Sequence, residues 1–271
     1  MAIDWDDAYQ NAAYIPDGES YPPRWQAEAA AFRARLGSEH ARTGLAYGWH
    51  PREKADLFLP DAKPVGLVVF VHGGYWRRFD RTDFSHLAEG ALAHGWAVAM
   101  PGYPLTPEVR IFEITRSIAR AVAAAAKVVA GPIRLAGHSA GGHLVVRQVC
   151  ADAVLQAPVR TRIANVVSIS GVHDLRPLLR TGMNEDLRLD ADEARAESPV
   201  LLEPAVGARV HVWVGGDERP EFVRQSTLLA NMWTGFDTQM SQTKVSKRHH
   251  FDVIEPLAHA DSELVDALLA D

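Results

Sequence analysis

The chain has 271 residues, of which 47% are hydrophobic and 23% are charged, and its formal net charge is −6 with a pI near 6.1. This length suits one large α/β domain and is short for two, and the acidic balance speaks against a nucleic-acid partner. The single cysteine, Cys150, excludes an internal disulfide and lies in an apolar helical run. No basic and apolar leader is visible, and no run approaches the ~18 apolar residues of a membrane span. We therefore expect a soluble cytoplasmic protein with no membrane partner.

The first 25 residues combine aromatic residues with prolines, a composition unusual for a disordered tail. Together with the alanine-rich helical stretch 26–36, they predict an N-terminal arm of about residues 1–40 that packs on the body of the protein. Segments 43–48 and 54–60 predict two strands joined by a turn, and the second has the pattern of an edge or antiparallel strand.

Strand and helix patterns then alternate along the chain. Strands are predicted at 66–71, 96–100, 163–170, 210–214 and 239–245, and helices at 84–94, 107–130, 222–231 and 262–269. This alternation predicts a mostly parallel central sheet covered by helices on both faces. The acidic segment 178–204 lacks strand patterns, and two interpretations of it stay open: a small helical lid or a solvated surface excursion.

The segment Gly137-His138-Ser139-Ala140-Gly141 lies between a short apolar run and a helix-compatible run. This is the strand–turn–helix context of the G-x-S-x-G nucleophile elbow. The turn holds its serine in a strained conformation, and the glycines two positions away avoid collisions with neighbouring backbone. The pattern predicts Ser139 as a nucleophile.

A serine nucleophile needs a general base, and the base needs an orienting acid, in the chain order Ser, Asp or Glu, His. The predicted strand 210–214 runs into Gly215-Gly216-Asp217-Glu218, and catalytic groups gather at the carboxyl ends of parallel strands. We predict Asp217 as the acid, with Glu218 as the neighbouring alternative. Asp174 follows an earlier strand and suits capping or loop packing better.

The base must come after the acid. His249 and His250 both follow the last predicted strand, and the pattern alone does not choose between them. His259 lies further into the C-terminal segment and fits less well.

An oxyanion hole is predicted at His72-Gly73-Gly74-Tyr75-Trp76, directly after a buried strand. Two glycines let the backbone approach a tetrahedral intermediate. By position, the donors are the backbone N–H groups of Gly74 and Tyr75, completed by that of Ala140 after the nucleophile.

Four segments of the sequence resemble the kynurenine formamidase (arylformamidase) branch of α/β hydrolases, which is related to hormone-sensitive-lipase-like esterases. They are HGGYW at 72–76, GHSAGGHL at 137–144, VGGDERPEF at 214–222 and HHFDVIEPL at 249–257. The resemblance runs from about Tyr47 to the C-terminus. It implies the α/β-hydrolase fold in one domain, 1–271, and the hydrolysis of N-formyl-L-kynurenine to L-kynurenine and formate with neither cofactor nor metal.

The resemblance also bears on individual residues. The family's histidine precedes a phenylalanine, which selects His250 over His249, and its acid follows a glycine-rich turn, which agrees with Asp217. The lipase-like relatives carry a third glycine where this chain has Tyr75 and then Trp76. We expect these two aromatic residues to bind an aryl substrate by stacking, and the alternative is that they pack in the core as part of a bulky loop.

The main hypothesis is thus a serine hydrolase that cleaves a small aryl amide or ester through an acyl-enzyme. One alternative is a general carboxylesterase or thioesterase, for which Arg77, Arg78 and Arg81 are either contacts for coenzyme A phosphates or a solvated surface face. A remote alternative is a non-catalytic binding protein on the same fold. A homodimer is left open by the sequence.

Overall fold

A computed structural model describes residues 3–270; Met1, Ala2 and Asp271 of the predicted domain lie outside the described residues. Within residues 3–270 the strands form one eight-stranded sheet in the order β1-β2-β4-β3-β5-β6-β7-β8. The strands are β1 (Ala41–Ala46), β2 (Lys54–Phe58), β3 (Leu67–Val71), β4 (Ala97–Pro101), β5 (Ile133–His138), β6 (Ile163–Ile169), β7 (Arg209–Gly215) and β8 (Gln239–Val245). Only the pairings of β2 with β1 and with β4 are antiparallel, so the predicted mostly parallel sheet is confirmed.

Helices cover both faces of this sheet. They are α1 (Trp5–Ala8), α2 (Tyr21–His40), α3 (Glu89–Ala93), α4 (Ile111–Val128), α5 (Ala140–Arg147), α6 (Ala157–Arg160), α7 (Asn184–Leu187), α8 (Ala191–Ala196), α9 (Pro220–Trp233) and α10 (Glu263–Leu269). Strand β3 shows why two layers are needed, because all five of its residues are buried. Leu67, Val69 and Val71 pack in a core with α4, α5 and α9, whereas Val68 and Phe70 pack in a second core with α2 and α10. This period of two is what a strand buried on both faces requires.

The N-terminal arm is more regular than its composition predicts. Helix α2 begins at Tyr21 instead of about residue 26, because Pro22 and Pro23 occupy its first turn, where a missing N–H costs nothing. The predicted stop at Gly37 corresponds to a break in helical geometry, with φ of 74°. The arm ahead of α2 lies over the carboxyl end of the sheet, where it contacts the loop after β3 and the helix after β7.

The segment between β6 and β7, which includes 178–204, is built of short helical turns, among them α7 and α8. Leu187, Ala194 and Val200 are buried, and Arg110 at the start of α4 reaches Asp190 and Glu193 of the segment. The segment therefore packs on the body of the protein. That it moves as a lid stays a prediction.

Candidate active site

The strained turn that the elbow pattern predicts is present at the junction of β5 and α5, and the role of Ser139 as a nucleophile stays a prediction. Ser139 adopts φ of 55° and ψ of −118°, a conformation that non-glycine residues rarely occupy. Space explains the glycines, since a Cβ on Gly137 would lie 2.2 Å from the Gly141 carbonyl oxygen, and one on Gly141 would lie 2.0 Å from that of Val71. The Ser139 amide donates to Ile169 of β6 at 2.8 Å, which ties the turn to the neighbouring strand.

His250, in the turn after β8, lines the same cavity as Ser139 and is 3% exposed. Its Nδ1 lies 2.6 Å from Oε2 of Glu218. The second carboxylate oxygen, Oε1, accepts hydrogen bonds from the Gly215 amide at 2.7 Å and from the Ser170 hydroxyl. Because Nδ1 is engaged by a carboxylate, Nε2 is the nitrogen of His250 that remains for proton transfer.

The prediction of Asp217 as the partner of the histidine is wrong. Asp217 is exposed, and its amide donates to the Arg248 carbonyl at 3.0 Å. After β7 the chain turns so tightly that a Cβ on Gly215 would lie 2.2 Å from the Arg248 oxygen. This turn directs residue 217 to solvent and brings Glu218 back over the end of β7, so the alternative that the sequence left open occupies the site.

Of the two candidate histidines, His250 is the one that lines the cavity, in agreement with the family resemblance. His249 lies outside the cavity, with Nε2 at 3.1 Å from the Tyr21 hydroxyl and Nδ1 at 3.1 Å from Asp252. His138 supports His250 from the elbow, because its Nε2 donates to the His250 carbonyl at 2.9 Å. Burial, and then the neighbouring His250, holds the pKa of His138 well below its usual range, so His138 is neutral.

The predicted oxyanion turn is strained and lies beside Ser139. Gly74, Tyr75 and Trp76 all have positive φ, at 106°, 52° and 57°. A Cβ on Gly74 would lie 2.5 Å from the Arg78 carbonyl oxygen, and one on Gly73 would lie 3.0 Å from Cβ of Ser139. Within residues 3–270 the amides of Gly74, Tyr75 and Ala140 donate to no protein acceptor, which is consistent with the donor role predicted for them.

A cavity of about 730 Å³ opens above Ser139. Its aromatic wall comes from both the arm and the body: Tyr9, Trp25, Tyr75, Phe79, Phe84 and Phe251. The arm also contributes polar groups that the sequence did not identify: Asp6, Gln10, Asn11 and Glu19. Across the described part of the chain, no three His, Cys, Asp or Glu side chains are arranged to hold a metal ion.

Of the two aromatic residues expected to contact substrate, Tyr75 lines the cavity and Trp76 does not. Trp76 is 0% exposed and packs edge-on against His143 at 5.2 Å between ring centres. The prediction for Trp76 is therefore wrong, because the left-handed turn directs this side chain into the core.

Three further buried histidines surround the site as structural groups. His72 stacks on Tyr103 at 4.3 Å, the Nε2 of His143 bonds the Glu197 carbonyl, and that of His173 bonds Ser168. Burial lowers the pKa of His72 and of His143 to about 4 and that of His173 to about 3. All three are neutral at pH 7.

These depressed pKa values predict that the fold loses stability as the pH falls from 7 to 5. The unfolded chain takes up a proton on each histidine near pH 6.5, whereas the folded chain does so only below about pH 4. Between these values each histidine lowers the free energy of unfolding by about 1.4 kcal/mol per pH unit. Urea denaturation at pH 7, 6 and 5 measures this, and an unfolding free energy that did not change over this range would contradict it.

Residues 68–266 match the model of the alpha/beta hydrolase family, which is most of the chain. The chain therefore belongs to this family and is a hydrolytic enzyme. No helix among residues 3–270 is long and apolar enough to cross a bilayer.

Similar proteins indicate which kinds of hydrolase this chain resembles. Kynurenine formamidase from Danio rerio is 29% identical over 273 residues, covering 92% of each chain, and that from Salmo salar is 29% identical, covering 86% of this chain and 84% of the relative. A candidate thioesterase from Silicibacter sp. TM1040 has a solved structure that is 55% identical and superposes with a TM-score of 0.95, covering 99% of this chain and 100% of the other. An esterase from Pyrobaculum calidifontis shares the fold, with 16% identity, a TM-score of 0.67 and coverage of 91% and 90%.

Proposed function

We propose that this enzyme is a serine hydrolase that removes the formyl group from N-formyl-L-kynurenine or a closely similar aryl formamide. The observation that carries the proposal is the placement of Ser139, on a strained elbow, in one cavity with the buried His250–Glu218 pair. Two curated relatives that match over most of their length carry the name kynurenine formamidase, which supports the choice of substrate.

In the proposed mechanism, Oγ of Ser139 attacks the formyl carbon while Nε2 of His250 takes the hydroxyl proton. Glu218 holds the imidazole through Nδ1 and stabilises the imidazolium that forms. The amides of Gly74, Tyr75 and Ala140 bind the oxyanion. The imidazolium then gives its proton to the aryl nitrogen, which leaves as the amine. Water, deprotonated by the same histidine, finally attacks the formyl-serine ester, which releases formate and restores Ser139.

The cavity suits an aryl amino acid in shape and in charge. Its wall is aromatic, and one of its two arginines keeps an uncompensated charge. Arg77 pairs with Asp186 at 2.7 Å, whereas the side chain of Arg78 makes no hydrogen bond or ion pair with residues 3–270 and lies over the Phe79 ring at 5.3 Å. An α-carboxylate of the substrate would satisfy this guanidinium.

A thioesterase is the second candidate, because the 55% identical structure carries that description. The same Ser139 chemistry would cleave a thioester, and Arg78 would then meet a coenzyme A phosphate. Both candidates share the acyl-enzyme and differ in the leaving group.

The test compares the kcat/KM values for three substrates: N-formylkynurenine, phenyl acetate and acetyl-coenzyme A. We expect formylkynurenine to be the preferred substrate. Arg78→Gln should raise the KM for formylkynurenine about fivefold, as for the loss of a partly exposed ion pair, and should leave the KM for phenyl acetate unchanged. Arg116→Gln is the matched control, since Arg116 also lies over a phenyl ring, Phe112, at 5.1 Å, but on α4 outside the cavity. A preference for the thioester would favour the second candidate.

A further inference from the structure

The oxyanion turn contains two adjacent non-glycine residues with left-handed backbone, Tyr75 and Trp76. Such conformations are unfavourable for L-residues and persist only where the surroundings enforce them. The core enforces the conformation of Trp76, because its side chain is fully buried and its carbonyl accepts from the Thr106 amide at 2.9 Å.

The side chain of Tyr75 is held by the N-terminal arm. Its hydroxyl donates to the Tyr9 carbonyl and accepts from Nδ2 of Asn11 at 3.0 Å. The single hydroxyl proton is committed to Tyr9, so Asn11 must present its NH₂ group to the hydroxyl. Tyr9 and Asn11 are only 2% and 6% exposed, so each of the two hydrogen bonds has a buried partner on the arm.

The arm is in turn fixed to the helix that follows the acid. The Tyr9 hydroxyl donates to Oε1 of Glu221 at 2.9 Å and accepts from Nε2 of Gln225 at 3.1 Å, both on α9. Helix α9 starts two residues after Glu218. Tyr9 thereby connects the oxyanion turn on one side of the cavity to the acid-bearing turn on the other.

We infer that Asn11 and the main chain of Tyr9 are positioning residues that hold Tyr75 where its amide can bind the oxyanion. This inference rests on the oxyanion hole of the proposed function. It makes the N-terminal arm a working part of the catalytic site, in addition to a wall of the cavity. Neither residue touches the reacting atoms; both act through the backbone of Tyr75.

The experiment removes the contact from both ends, with Tyr75→Phe, Asn11→Leu and the double variant. A misplaced oxyanion donor costs about 10- to 100-fold in rate, so we expect kcat on phenyl acetate to fall by that factor in each variant, with KM within twofold. The double variant should lose no more than Tyr75→Phe alone, because loss of the Tyr75 hydroxyl already removes the hydrogen bond from Asn11. The affinity for phenylboronic acid, whose serine adduct is a tetrahedral anion, should weaken in parallel with kcat.

Tyr14→Phe is the matched control. It removes a hydroxyl from a tyrosine of the same arm, but this hydroxyl donates to Oδ1 of Asp7 at an exposed position outside the cavity. The variant should therefore leave kcat unchanged. Thermal melting checks that each variant folds; should one fail, the other reports on the same contact from the opposite end.

The inference is overturned if kcat and boronate affinity stay at the wild-type level, or if KM rises at constant kcat, which would make Tyr75 a substrate contact only. Wild-type protein that neither hydrolyses phenyl acetate nor binds the boronate would instead contradict the proposed function. The two failures are therefore distinguishable.

Discussion

Replacement of Ser139 by alanine is expected to lower kcat on phenyl acetate and on N-formylkynurenine by about 10⁵- to 10⁶-fold. The change removes the oxygen that forms the acyl-enzyme in the proposed mechanism and leaves the oxyanion donors and the cavity in place. The variant should still hydrolyse its substrates somewhat faster than the uncatalysed reaction in water, because those donors remain. The measurement is single-turnover kinetics, combined with intact-mass detection of a fluorophosphonate adduct.

Ser241→Ala is the control, because Ser241 is an exposed serine on the edge strand β8. That variant should keep its activity and take up one adduct, whereas Ser139→Ala should take up none. Full hydrolytic activity in Ser139→Ala, or an adduct on it of wild-type yield, would remove the basis of the proposed mechanism.

The features predicted correctly from the sequence are those that depend on short stretches of chain. The elbow is determined by the spacing of Gly137 and Gly141 around Ser139, because a Cβ on Gly137 would meet the Gly141 carbonyl within the same strand–turn–helix segment. The sheet follows from apolar runs such as 67–71, whose burial on both faces leaves little choice of environment.

What the sequence did not reveal depends on contacts between distant parts of the chain or on the direction of a single turn. Tyr9 meets Glu221 across 212 positions, and no local pattern indicates that contact. Trp76 has an aromatic side chain of the kind that lines binding sites, but positive φ values at residues 74 to 76 direct this side chain into the core. Side-chain direction within a tight turn is set by dihedral angles that adjacent residue types do not specify.

The same limit explains the error over the acid. Asp217 and Glu218 are adjacent, carry the same charge and both follow β7. They differ in that the backbone at 217 bonds to Arg248 and leaves its side chain in solvent, whereas the side chain at 218 is enclosed by Gly215, Ser170 and His250. The longer glutamate spans the distance from the turn to the imidazole.

Glu218→Gln is therefore expected to lower kcat by about 10³- to 10⁴-fold, with thermal stability close to that of the wild type. The glutamine oxygen can still accept from the amide of Gly215, which leaves its NH₂ group facing Nδ1 of His250. That arrangement favours the tautomer with the proton on Nε2, and such an imidazole cannot accept the proton of Ser139.

Asp217→Asn is the control with the same chemical change one residue earlier, and it should keep kcat within about twofold, as for an exposed surface substitution. Both variants should be assayed on phenyl acetate, for which substrate charge plays no part. A large loss in Asp217→Asn with little change in Glu218→Gln would reverse the assignment, and equal small effects would mean that His250 acts without an orienting carboxylate. Because the two carboxylates are neighbours with opposite exposure, this pair of variants separates orientation of the base from the general electrostatics of the turn.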